Sequence, residues 1–260
     1  MTQAADRAFV RMEGVGHCYN PDGGPMAVQQ IDLEIHRHEF VAVVGPSGCG
    51  KSTLLRMVSG LLIPSAGKVS VFEKQVTEPR DDVGIVFQKP TLLPWLSIRK
   101  NVLFPLKHKF GRYSAKDEKR ADELLAMAGL AQFADHMPDE LSGGMQQRAG
   151  IVRALLLNPD ILLMDEPFSA LDAMTREQMG FDLLRIWSEN PKTVLFITHS
   201  ISEAVLLADR VLVMSQRPGT VLDLIDIDIP RPRSEQTIQT PEFAELTARI
   251  RKHIYEPEAH

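Results

Sequence analysis

Gly45-Pro46-Ser47-Gly48-Cys49-Gly50-Lys51-Ser52 sets glycines, one lysine and one hydroxyl in the spacing GxxxxGK[ST], a combination suited to gripping phosphate. Glycine, having no Cβ, lets backbone N–H groups converge on phosphate oxygens. Lys51 can place a point charge between β- and γ-phosphates, and the Ser52 hydroxyl is suited to hold Mg²⁺. Thr53 is a further phosphate-contact candidate. A second chemical feature is the run Ile161-Leu162-Leu163-Met164, which ends in Asp165-Glu166. Asp165 would complete the Mg²⁺ environment, and Glu166 could polarise a water for attack on a γ-phosphate. Neighbouring residues leaving a strand point in different directions, so one acid can face a metal while the other faces water.

These groups need elements to carry them. Phe40 to Val44, Val83 to Phe87, Ile161 to Met164, Val194 to Thr198 and Val211 to Met214 are short apolar runs that predict buried strands. Lys51 to Ser59, Ala173 to Glu189 and Ser202 to Ala208 have helical period, and the alternation predicts an α/β fold. The glycine-rich loop therefore joins a strand to a helix, whose positive dipole end adds to the anion site. The two acids then sit at the C-terminal edge of a sheet, where ligands bind in open α/β folds. From about 89 to 157 the pattern is mostly helical, including Asp117 to Ala128 with Ala121, Leu124, Leu125 and Ala128 on one face, which predicts a helical insertion. Arg231-Pro232-Arg233-Ser234 reads as a polar linker, and Pro241 to Tyr255 resumes helical period. Residues 1–230 are thus expected to form the main domain and 231–260 a linker with a helical tail. No internal repeat occurs, so one chain carries one copy of the phosphate loop.

With 260 residues, 44% of them hydrophobic, the chain can bury a substantial core. A formal net charge of -5 gives no basic field, which argues against a nucleic-acid partner. Two cysteines, Cys18 and Cys49, fit a reducing compartment and exclude a disulfide framework or a cysteine-built metal site. No signal-like apolar core opens the chain and no segment approaches the roughly 20 apolar residues of a membrane span, so membrane association is expected through a partner. His36, His38 and His260 read as solvent-facing, and Cys49 as a loop residue without a redox role.

Leu141-Ser142-Gly143-Gly144-Met145-Gln146-Gln147-Arg148 resembles the signature motif of the ABC ATPase family. A serine and two glycines at a helix start make a second anion nest, like the first but without a lysine. The resemblance runs from Tyr19 to about Leu224. It implies a P-loop NTPase core with a mixed or parallel sheet, an antiparallel β subdomain and an inserted helical subdomain. It also implies ATP and Mg²⁺ as cofactors. By the same resemblance Tyr19 stacks on adenine, Gln88 touches Mg²⁺ and the attacking water and senses a permease, Asp172 lies in a loop across a dimer interface, and His199 contacts the γ-phosphate. Ser142, Gly143 and Gly144 of one subunit would close over the γ-phosphate held by another, which makes the unit of function a homodimer. Two departures stand out: Ser200 replaces a more usual Asp after His199, and Met145 a more usual Gln after the glycines. The first leaves open how the switch region is tied to its neighbours.

The wording Phe87-Gln88-Lys89-Pro90-Thr91-Leu92-Leu93-Pro94-Trp95, Glu166-Pro167-Phe168-Ser169-Ala170-Leu171-Asp172 and the Arg-Pro-Arg tail resemble the nitrate, sulfonate and taurine importer subgroup. That resemblance implies a separate membrane permease met near Gln88 to Trp95, an indirect link to a solute-binding protein, and a place on the cytoplasmic side of the bacterial plasma membrane. Three other classes are weighed: a non-transport ABC ATPase, a P-loop kinase or GTPase, and an ATP-holding regulatory module. The first lacks its usual coiled-coil insertion or second nucleotide domain here, the second does not need Leu141 to Gly144, and Glu166 with His199 argues against the third.

Overall fold

The computed structural model describes residues 8–20 and 24–255; His260 and residues 1–7 lie outside them. In chain order the elements are strands β1 (Val10–Cys18), β2 (Met26–Ile35) and β3 (Phe40–Val44), helix α1 (Lys51–Val58), strands β4 (Ala66–Val71), β5 (Lys74–Gln75) and β6 (Val83–Val86), and helices α2 (Ile98–Phe110), α3 (Ala115–Met127) and α4 (Gly143–Leu156). Strand β7 (Ile161–Asp165), helix α5 (Ala173–Glu189), strand β8 (Thr193–Ile197), helix α6 (Ile201–Leu207), strands β9 (Arg210–Met214) and β10 (Val221–Asp226), and helices α7 (Glu235–Ile238) and α8 (Pro241–Tyr255) follow. The chain divides into two compact units, one ending at Asp81 and resuming at Lys192, the other Asp82–Pro191.

The first unit holds an antiparallel sheet ordered β2-β1-β4-β5 and a group of strands ordered β10-β9-β3-β8. Strands β1 and β2 are half-buried and alternate, burying Val10, Met12 and Val15 against Ile31, Leu33 and Ile35. Period-2 alternation with one face inward is what such a sheet requires. In β3 all five residues are buried, because it runs between parallel β8 and β9. Val, Ile and Phe fill that crowded position well. Helix α8 turns Phe243 and Ile250 inward and packs on α6, β9 and β10.

The second unit pairs β6 with β7 in parallel and packs helix α4 on β6. Helix α4 packs on α2 and α3, and the expected face of α3 is present: Ala121, Leu125 and Ala128 are buried and Leu124 half-buried. Ser114 starts α3 with a capping box, its side chain accepting from Asp117 N–H while the Asp117 carboxylate accepts from Ser114 N–H. Among the described residues no helix is long and apolar enough to cross a membrane.

Two readings of the sequence need correction. His36 is half-buried where β2 turns into β3, its N–H donating to Glu39 Oε2 at 2.6 Å, whereas His38 is exposed as expected. The Arg231-to-Ser234 stretch is no solvated linker, since Arg233 is only 7% exposed and its guanidinium reaches backbone carbonyls of the core.

Candidate functional site

Within the first unit, the phosphate loop leaves β3 where three strand ends coincide. Val43 is in register with Ile197 and Val44 with Val213, so Gly45 and the Thr198-His199 pair emerge at one edge. Thr198 N–H donates to Val43 O at 3.2 Å, fixing that alignment. Gly50 then turns the chain into α1 with φ +100°, and a Cβ there would lie 2.3 Å from Val28 Cγ1. Only glycine satisfies both the left-handed backbone and the close approach. On the opposite side of the loop, Ser47 and Gly48 are exposed, and a Cβ on Gly48 would meet nothing within 4 Å. The underside is thus packed and the upper side is open.

Lys51 is buried, and its Nζ donates to Gly45 O at 2.9 Å and Pro46 O at 3.0 Å. A strongly hydrated cation taken from water needs such partners. The loop is therefore built around a positive charge, with a half-buried Ser52 hydroxyl one residue on. Cys49 is also buried, and burial raises its thiol pKa while Lys51 opposes the rise. Burial that disfavours the thiolate should slow the reactions of this thiol. At the far end of the loop the Tyr19 hydroxyl lies 3.0 Å from Thr53 Oγ1, and its ring meets His17 edge-on at 4.8 Å. Tyr19 stays 52% exposed, which leaves ring face for a ligand to cover.

His199 is exposed just past β8. Ser200 answers the question its presence raised: it caps α6, its Oγ accepting from Glu203 N–H at 3.3 Å, while Ser200 N–H donates to Thr198 Oγ1 at 2.9 Å. Thr198 Oγ1 in turn donates to Glu203 Oε2 at 2.6 Å. Serine thus does the N-cap work open to an aspartate at the same place.

In the second unit Val86 is in register with Met164, so Gln88 and the Asp165-Glu166 pair leave a shared edge. Asp165 and Glu166 are half-buried and Gln88 is exposed. Glu166 has φ +47°, a conformation costing on the order of 1 kcal/mol for a residue with a Cβ. Its carbonyl accepts from Ser169 N–H and Ser169 Oγ, which stabilise the turn. Asp172 caps α5, accepting from Thr175 N–H at 3.0 Å and Thr175 Oγ1 at 2.6 Å, and these bonds from Thr175 lower its carboxyl pKa. Its place in an exposed loop leaves the interface role open as well.

Ser142 caps α4, its Oγ accepting from Met145 N–H at 3.4 Å. The two glycines behind it differ. A Cβ on Gly144 would lie 2.8 Å from Thr175 Cγ2, whereas on Gly143 the nearest atom is Leu171 Cδ2 at 3.9 Å. Packing within the chain explains Gly144 but not Gly143, which is exposed.

Sequence reasoning missed the residues that hold the Gln88-to-Trp95 loop. Gln147 Nε2 donates to Phe87 O at 3.1 Å, and Arg153 donates to Thr91 O and Oγ1 at 2.6 and 2.8 Å. Fully buried Asn101 accepts from Leu93 N–H and donates to the carbonyls of Leu93, Leu96 and Ser97. Trp95 at the end of this loop is 70% exposed, while Leu92 and Leu93 are half-buried. Asn101 carries no motif around it, so only its spacing with Ile98, Val102 and Leu103 on the buried face of α2 could have drawn notice.

The residues of each unit suit ATP with Mg²⁺: in the first, the open upper side of the glycine loop with buried Lys51 suits a polyphosphate and Ser52 offers a hydroxyl, and in the second Asp165 and Gln88 offer hard oxygen donors. Residues 28–169 match the family described as ABC transporter. The chain is 48% identical over 237 residues to a taurine import ATP-binding protein of Rhizobium johnstonii, covering 89% of this chain and 90% of that one. A nitrate import ATP-binding protein of Synechococcus elongatus is 40% identical over 256 residues, covering 97% and 93%. Among solved structures, a dimeric ATP-binding cassette in a post-hydrolysis state, bound to ADP and Pi, superposes with a TM-score of 0.73 and 36% identity over 85% of this chain and all of the other.

Proposed function

The chain belongs to the ABC transporter family as an ATP-hydrolysing subunit that works with ATP and Mg²⁺, and on that premise we propose that it energises import of a small anion through a separate permease. Nitrate, a sulfonate or taurine is the solute class, taken from the names of its relatives and the Leu-Leu-Pro-Trp wording of the loop after Gln88. One observation carries the reading most directly: the chain has two unlike anion nests, one built around Lys51 and one, at Ser142 to Gly144, with no lysine. A single chain with one complete and one partial nest suggests sites shared between two copies.

In this reading Gly45 to Thr53 cradle the phosphates, with the backbone N–H groups of Ser47, Gly48, Cys49 and Gly50 directed at the oxygens, Pro46 shaping the turn and Tyr19 on the adenine. Lys51 gives up its bonds to Gly45 and Pro46 for the β- and γ-phosphates. Ser52, Asp165 and Gln88 hold Mg²⁺, which when bound offsets the charge of the phosphate oxygens. Glu166 accepts a proton from the attacking water, and His199 donates to the γ-phosphate. Ser142, Gly143 and Gly144 of the second copy close over the same phosphate, with Asp172 at the interface. When the γ-phosphate leaves, those contacts are lost and the copies part. Residues 1–230 are the ATPase domain with its helical insertion near 89–157, and 231–260 a tail. The subunit sits peripherally on the cytoplasmic side of the bacterial plasma membrane, meets the permease near Gln88 to Trp95, and communicates with a solute-binding protein only through that permease.

Replacing Glu166 by Gln keeps size and removes the base. Turnover should fall by roughly 100-fold or more while ATP still binds; wild-type turnover would show that Glu166 is not the base. For transport, co-purification with a hydrophobic permease and solute-dependent stimulation of ATPase are expected. Identical ATPase with and without any permease would favour a non-transport ABC ATPase instead.

A further inference from the structure

Helix α6 starts directly after His199-Ser200 and is only seven residues long. A helix that short has little stability of its own, and its last four carbonyls lack intrahelical partners. Here Ala208 N–H closes onto Ala204 O, which leaves the carbonyls of Val205, Leu206, Leu207 and Ala208. The C-terminal segment supplies a donor to every one. Arg233 Nη1 donates to Val205 O at 3.1 Å, Leu206 O at 3.0 Å and Ala208 O at 2.7 Å, and Arg231 Nη2 donates to Leu207 O at 2.7 Å.

The remaining nitrogens of Arg233 are used as well, Nε and Nη2 on Ile229 O and Nη2 on Ile227 O. Burial lowers its pKa to about 10, so the guanidinium remains charged at neutral pH and lies at the negative end of the helix dipole. Arg231 also bonds Asp209 Oδ1 at 2.8 and 2.9 Å, and Asp209 Oδ2 accepts from Phe40 N–H at 2.8 Å. Phe40 begins β3, the strand that delivers the phosphate loop. The Arg-Pro-Arg segment therefore grips the far end of the helix that directly follows His199 and, through Asp209, the near end of the strand that precedes Gly45.

We propose that Arg233, seconded by Arg231, is a positioning residue for His199: by occupying all four terminal carbonyls of α6 it fixes the Ser200-capped end on which the histidine stands. This rests on reading His199 as a γ-phosphate contact. It gives the C-terminal tail a mechanical role in hydrolysis, distinct from binding of ATP by the glycine loop.

The test is turnover of the full chain carrying Arg233→Ala, made in the wild-type and in the His199→Ala background, with amide hydrogen exchange across residues 199–208. In the wild-type background kcat should fall roughly tenfold with the KM for ATP changed by less than about twofold, and exchange in 199–208 should rise. In the His199→Ala background the same change should lower kcat by less than about twofold. Arg233→Lys, which keeps charge but not the fork, should recover only a minor part. An equal fold-loss in both backgrounds, or a rise in KM at unchanged kcat, would overturn the proposal. Wild-type turnover by His199→Ala alone would instead overturn the reading of the histidine. Should Arg233→Ala fail to fold, Arg231→Ala removes only the Leu207 and Asp209 bonds, and its smaller loss of about threefold must likewise vanish without His199.

Discussion

The starts of α1 and α4 are both glycine-bearing and both proposed to meet phosphate, yet they are built to opposite plans. At α1 the loop curls around Lys51, whose ammonium is buried and bonded to Gly45 and Pro46 carbonyls. At α4 no lysine follows the glycines, and the start consists of the Ser142 cap, a glycine packed on Thr175 and an exposed glycine. Charge with a closed underside can hold a polyphosphate alone. Backbone dipoles without charge are worth far less in water, and they become effective where a second surface excludes it. In the proposed reading the difference separates the nest that holds the nucleotide from the nest that responds to it.

Removing the charge should have the largest effect. Lys51→Ala should weaken ATP binding by roughly 100-fold, from the loss of one partner in a desolvated charge pair, measurable by calorimetry. Unchanged affinity would erase the contrast between the nests.

The two glycines of α4 should then separate by readout. Gly143→Ala meets only Leu171 Cδ2, at an unstrained 3.9 Å, so the melting temperature should hold or rise slightly while turnover falls roughly tenfold, as a methyl intrudes where the partner copy's phosphate must approach. Gly144→Ala should cost about 1 kcal/mol of stability, overpacking against Thr175 being partly offset by helix propensity. Adding Thr175→Ser removes the methyl that is struck and keeps the hydroxyl that bonds Asp172, so stability should return. If Gly143→Ala melts early and turns over normally, both glycines are merely structural.

Smallest of all is the effect expected at Cys49. Because burial raises its thiol pKa, the thiolate fraction at any pH up to about 8 lies below that of a free cysteine, and iodoacetamide should modify it slowly, speeding up only as pH rises toward the raised pKa. Rapid modification at pH 7 would mean that the loop's underside opens readily.

How much of this was legible in the sequence depended on what each residue type must do locally. Runs buried on both sides announce themselves, so β3, β7, β8 and β9 were found within a residue of their ends. Strands β1 and β2 were not singled out, because alternation of Arg11, Glu13, Gln30, Asp32 and Glu34 with apolar residues dilutes the signal, and a bulged register blurs it further. The phosphate loop and the Ser142 nest were legible because glycine, lysine and serine are each required at fixed spacing. Arg233 was not, since nothing local distinguishes an arginine in a proline-containing linker from one that reaches back to carbonyls more than twenty residues earlier. Long-range polar satisfaction has no sequence period.

The central claim is that one copy of the chain cannot complete a site, and sedimentation of the Glu166→Gln chain tests it most directly. With ATP and Mg²⁺ the mass should double from 29.0 kDa, and with ADP it should not. Adding Gly143→Arg should abolish the doubling while ATP still binds. A chain that remains monomeric with ATP bound, or that dimerises equally with Gly143→Arg present, would contradict the shared site.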